Sequence, residues 1–171
     1  MNYLKNKRVY LSGPIQYLAD TEWRTETKRI LQREFELDLF DPFDDPKQQW
    51  VSQLKEAQKQ GDYNTVVSIA KKFVRKDLSM VDRADLVIAY LPYKVPTTGT
   101  VHEIINSSNA KKPTLLVGDC NDINCIPVWY FGFISLEFIF PNWDKLFEYL
   151  QEVNDGKHRD NDRWSFIYGE I

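Results

Sequence analysis

Two carboxylates in this chain are placed where acids rarely sit without a purpose. Asp77 lies four residues after Phe73 and four before Val81, on the apolar stripe of a helical segment. Glu103 falls near the first turn of a helix that opens at Thr98-Gly99-Thr100. An unpaired charge on a buried face is expensive, so Asp77 is either partnered or functional. The field at the helix start favours an ionised Glu103. If both acids reach one cleft, they supply a nucleophile and a proton donor. Glycosidic cleavage asks for that pair: one carboxylate meets an oxocarbenium-like carbon and the other acid protonates the leaving group. The residues alone leave a second reading open, in which Glu103 is a helix-start acid and Asp77 a satisfied polar group capping a neighbouring loop.

Other chemistries find less support. Gly13-Pro14-Ile15 lacks the spaced glycines of a dinucleotide fingerprint, and Thr97-Thr98-Gly99-Thr100 lacks the glycine-lysine ending of a triphosphate loop. His102 and His158 form no metal-ligand cluster, and His102 is expected to be structural or solvent-exposed. No nucleophile elbow supports a serine triad. Cys120 and Cys125 have no second pair for a zinc site, and they are expected to be reduced. The formal net charge of −3 gives no polyelectrolyte signal, so long nucleic acid is not the expected partner. No apolar run approaches the ~20 residues of a membrane span, and the first eight residues hold no signal-like apolar region. The expected location is the cytoplasm.

The elements that must position the acids are legible from periodicity. At 171 residues, with 43% hydrophobic residues, one domain over 1–171 is expected. Residues 86–91 form a nearly continuous apolar run, as in a parallel strand buried on both faces. Pro92 and Pro96 force a loop before the Glu103 helix, which runs to about residue 109. Further strands are expected at residues 9–11, 37–40, 114–117 and, of two aromatic segments, 137–140 rather than 128–131. Helices are expected after Asp20 or Thr21, over about 47–60, from Asp62 or Asn64 to about 83, and over 143–153. Residues 46–64 read as a helical insertion, and the tail from about 154 carries Trp164, Phe166 and Tyr168 for docking on a surface. Alternating strands and helices predict an α/β fold with a mainly parallel five-stranded sheet. In such sheets ligands bind beyond the carboxyl ends of the strands, where Ser12-Gly13, Asp41, residues 97–103 and Gly118-Asp119 would converge.

The segment Ala84-Asp85-Leu86-Val87-Ile88-Ala89, followed by Thr98-Gly99-Thr100-Val101-His102-Glu103-Ile104, resembles the nucleoside 2-deoxyribosyltransferase family and its relatives that hydrolyse nucleoside 5′-monophosphates. Residues 10–15 look like the family's opening strand and substrate loop. Residues 40–43 look like its second-strand loop, and Asp77 sits where the family has a helix-borne Asp. The resemblance implies a flavodoxin-like, doubly wound sheet and a homodimer or larger homo-oligomer. It implies that Glu103 attacks C1′ of the deoxyribose and that Asp77 handles the proton at the base. Ser12, Gly13, Ile15 and Gln16 would line the base side, with Asp41 and Phe43 nearby. Asn142 falls where transferases bring a polar residue from a neighbouring subunit to the sugar 5′-hydroxyl. The partners implied are a nucleoside or nucleotide and a free nucleobase, with no cofactor or metal. Thr98, Gly99 and Thr100 could hold a 5′-phosphate, which makes a deoxynucleoside 5′-monophosphate N-glycosidase the alternative to a transferase. A non-catalytic nucleotide-sensing module is the alternative of another class.

Overall fold

The computed structural model describes residues 2–15, 22–44 and 48–169. Five strands, β1 (Arg8–Ser12), β2 (Asp38–Phe40), β3 (Leu86–Tyr90), β4 (Thr114–Val117) and β5 (Ile139–Phe140), form one sheet in the order β2-β1-β3-β4-β5. Every pairing is parallel, so every carboxyl end lies on the same edge. This is the doubly wound order, and the strand sequence reverses direction between β1 and β3. The central strands β3 and β4 are short and buried on both faces, which is why they read as unbroken apolar runs rather than alternating ones.

The helices are α1 (Glu22–Glu34), α2 (Gln48–Gln60), α3 (Tyr63–Arg83), α4 (Thr98–Asn109), α5 (Trp143–Asn154) and the short α6 (Ser165–Tyr168). α1 and α5 share one face of the sheet, where Trp23 stacks on Trp143 at 5.6 Å and Phe35 on Phe147 at 6.4 Å. α3 covers the other face with Met80, Val81 and Ala84 packed on Tyr10 and Val87, and α4 lies beside it. Asp62 caps α3 by accepting from the Thr65 amide, as the turn after Gly61 suggested. The cap expected for α1, at Asp20 or Thr21, lies outside the described residues.

α2 and α3 form a helical hairpin turning at Gly61. α2 packs back on α3 through the Trp50 and Phe73 rings, 5.6 Å apart, with the Lys72 ammonium 5.9 Å from Trp50. The aromatic segment at 128–131 is not a strand. It forms a 3₁₀ turn, Val128–Gly132, and leaves the fifth strand to Ile139–Phe140. The tail docks on its own domain: Trp164 is fully buried and donates to the Tyr149 hydroxyl at 2.8 Å, and the Tyr168 hydroxyl donates to the Val153 carbonyl. Among the described residues no helix is long and apolar enough to cross a membrane.

One expectation is corrected by the loop after β4. Cys120 and Cys125 are joined as a disulfide rather than held as reduced thiols. The 3₁₀ turn Ile123–Cys125 folds the chain back and brings their Cα atoms to 6.4 Å.

Candidate active site

Tyr10 and Ser12 are two residues apart on β1, so their side chains leave the same face of the sheet. That face meets α4. Glu103 there accepts from the Tyr10 hydroxyl at Oε1, 2.7 Å away, and from the Ser12 hydroxyl at Oε2. All three side chains are buried. Burial pushes the Glu103 carboxyl above the usual carboxylate range, and the charge of Asp77 pushes the same way. The Ser12 and Tyr10 hydroxyls, and more weakly the Arg24 cation, pull it back. Burial, with the Glu103 and Asp77 charges, drives the Tyr10 hydroxyl well above its ordinary range, so it stays a donor.

This corrects the reasoning for Glu103, though not its place. α4 begins at Thr98, so Glu103 belongs to the second turn and no acid sits in the first. The helix field falls off within one turn. The ionisation of Glu103 is governed by burial and by two hydroxyl donors from β1.

Asp77 lies on α3, half-buried, and close enough for its charge to act on both Glu103 and Tyr10. Thr100 is buried beneath the start of α4, while Thr98 and Gly99 are exposed there. His102 is exposed, as expected. Ile15 and Phe43 expose apolar side chains at the ends of the β1 and β2 loops. Gln16 lies outside the described residues.

Asp41 has a different task from the one the sequence suggested. Its carboxylate is buried and accepts from Arg24 Nη1 at 2.6 Å and from the Phe43 amide at 2.9 Å, with Lys28 Nζ 3.2 Å from its second oxygen. It organises the loop, and its second oxygen is buried, paired by charge with Lys28 and, among the described residues, without a hydrogen bond. Asn142 likewise serves its own chain: Oδ1 caps α5 by accepting from the Lys145 amide, and Nδ2 donates to the Cys120 carbonyl. Asp119 accepts from the Tyr93 amide at 3.0 Å and so joins the loops after β3 and β4. Among the described residues, Asp119, Cys120 and Cys125 have the ligand types for a metal within 4.8 Å, but here the sulfurs are bonded to each other.

Two residues of this site were missed. Tyr10 was read only as strand, although its two-residue spacing from Ser12 was a signal. Arg24 was not singled out at all. It stands beside Trp23 in an otherwise polar stretch, and nothing in the periodicity marks an arginine for burial.

A doubly wound parallel sheet, with a buried, hydroxyl-held glutamate beyond its switch point and an aspartate across from it, defines an α/β enzyme of small-molecule chemistry. The model of the family described as nucleoside 2-deoxyribosyltransferase matches residues 9–128, and the chain belongs to that family. It is an enzyme of the nucleoside 2-deoxyribosyltransferase family. Among solved structures, a 2-deoxyribosyltransferase from Bacillus psychrosaccharolyticus superposes with a TM-score of 0.54 at 19% identity, covering 81% of this chain and 89% of that one. A conserved protein from Enterococcus faecalis superposes with a TM-score of 0.57 at 15% identity, covering 86% and 99%. A CMP N-glycosidase from Clostridium botulinum gives 0.45 at 19% identity, covering 88% and 99%. The first two likenesses establish the fold. No curated protein matches the chain.

Proposed function

We propose that the enzyme cleaves the N-glycosidic bond of a 2′-deoxynucleoside through a covalent glutamyl-deoxyribose intermediate and transfers the sugar to another nucleobase. A Glu103 carboxylate oxygen attacks C1′, and the C1′–N bond breaks with its electron pair passing to the base. Asp77 delivers the proton that the departing base takes up. An incoming base then attacks C1′, Glu103 leaves as carboxylate, and Asp77 recovers the proton. The observation that carries this reading is the buried Glu103, oriented at both oxygens by Tyr10 and Ser12 and facing the charge of Asp77. Ile15, Phe43 and the Gly13 backbone would form the base side.

A second reading is a deoxynucleoside 5′-monophosphate N-glycosidase, in which water captures the intermediate. It is favoured by the start of α4, where Thr98 and Gly99 are exposed and the Thr97 side chain makes no capping bond. Liquid chromatography of products separates the two. The protein is given deoxynucleosides and their monophosphates, each with and without a second base. A new nucleoside formed only with the added base supports transfer; free base released mainly from monophosphates supports hydrolysis. Binding without turnover across the panel supports the sensing module instead.

We extend the reading to one domain that works as a homo-oligomer in the cytoplasm. In the segment leading to the edge strand β5, Val128 and Trp129 are 85% and 80% exposed, with Leu136 also exposed, apolar surface suited to a second copy. Sedimentation of the Trp129→Glu variant tests this: dissociation is expected, and an unchanged mass counts against that surface.

A further inference from the structure

We infer that Arg24 is a positioning residue whose guanidinium holds the carbonyls of Leu11 and Gly13, the residues before and after Ser12, and so holds the Ser12 hydroxyl against Glu103. The inference rests on the reading of Glu103 as nucleophile. Arg24 Nη1 donates to the Leu11 carbonyl at 3.2 Å and to Asp41 Oδ1 at 2.6 Å, and Nη2 donates to the Gly13 carbonyl at 3.0 Å. Leu11 and Gly13 are the neighbours of Ser12. One rigid, planar fork therefore brackets the residue that supplies a donor to the nucleophile. Asp41 carries the same link onward by accepting from the Phe43 amide. The indole of Trp23 backs the guanidinium at 4.5 Å and fills the space over Gly13.

Stability alone does not account for this arrangement. Arg24 is only 2% exposed, and burying an ion pair costs about as much as its attraction returns, so an apolar pair would fill the same space as well. An apolar pair cannot hold two carbonyls at a set spacing. The spacing matters because Glu103 has few allies. Tyr10 and Ser12 donate to it from β1, Arg24 favours its anion from α1, and Asp77 opposes the anion from α3. A loosened Ser12 withdraws one of the two hydroxyl donors.

The test is the pH titration of the Glu103 carboxyl carbon by ¹³C NMR, with Glu103→Gln identifying the signal. It is made in the full chain, in the apolar pair Arg24→Met/Asp41→Leu and in Arg24→Lys. Because the readout needs no turnover, it is separate from the glycosidic reading. In the apolar pair the Glu103 midpoint is expected to move to higher pH, and kcat to fall roughly ten- to a hundredfold. Arg24→Lys keeps the cation but not the fork, and its midpoint is expected between those two. A purely structural role would lower the melting temperature and leave the midpoint where it was. The parent midpoint in Arg24→Lys overturns the inference, because a shift confined to the apolar pair follows from loss of the Arg24 charge alone. Failure of both variants to fold overturns it as well. A shifted midpoint in a protein that cleaves no nucleoside upholds the positioning role and overturns the glycosidic reading.

Discussion

Tyr10 donates its hydroxyl to Glu103 Oε1 at 2.7 Å across 93 positions of sequence. The bond joins a strand to a helix on the same face of the sheet and leaves the carboxylate one of its two donors. A hydrogen bond to a charged group contributes about 1.5–3 kcal/mol. Tyr10→Phe is therefore expected to lower kcat roughly ten- to a hundredfold and to move the acid limb of the rate profile to higher pH. Steady-state kinetics against pH measures both.

Glu103→Gln is expected to remove glycosidic cleavage, by roughly three orders of magnitude or more, while nucleoside binding persists. Calorimetric titration alongside the product assay reads both quantities. Full turnover in this variant would assign the nucleophile elsewhere.

The same substitution has a pH signature in stability. Burial raises the Glu103 carboxyl above its ordinary 4.5, so the folded chain holds that proton more tightly than the unfolded one. Its contribution to stability therefore falls as pH rises from about that value through the folded midpoint. Glutamine does not titrate. The melting temperature of Glu103→Gln minus that of the parent should grow across this window and level off above it. A difference independent of pH would mean that burial does not dominate at Glu103.

Asp77→Asn keeps the shape and removes the proton. The expected loss is about 10²- to 10⁴-fold in rate, with the far-ultraviolet circular dichroism of the parent. An unfolded variant would show instead that Asp77 acts in holding α3.

At Gly13 a methyl group would lie 2.8 Å from the Trp23 ring, closer than packed atoms come. Gly13→Ala should cost about 1–3 kcal/mol by overpacking and disturb the carbonyl that Arg24 holds. Denaturant unfolding and kinetics together check this, with both stability and kcat expected to fall.

Much of the fold is written in local pattern. The apolar run at residues 86–91 and the prolines that follow it specify a buried parallel strand whatever lies around it. Asp62 announces α3, and the stripe of Phe73, Ile69 and Val81 announces its buried face. Glu103 and Asp77 were legible as acids in places that need a reason. What local pattern cannot carry is orientation between elements. The 3.6-residue period says that Glu103 belongs to a helix, but only the packing of α4 on β1 turns it toward Tyr10 and Ser12. The burial of Arg24 runs against its type, and only its partners on β1 and in the loops after β1 and β2 make that tolerable. Asp41 was placed near the site by its loop, while its role was decided by the cation that reached it from α1. The two cysteines were expected to be reduced, and the 3₁₀ turn between them brings them together. The sequence by itself determined the order of strands and helices and the identity of the two acids, because those depend on neighbours along the chain. The tertiary structure decided which groups hold the acids and set their charge, because burial and hydrogen bonding depend on neighbours in space.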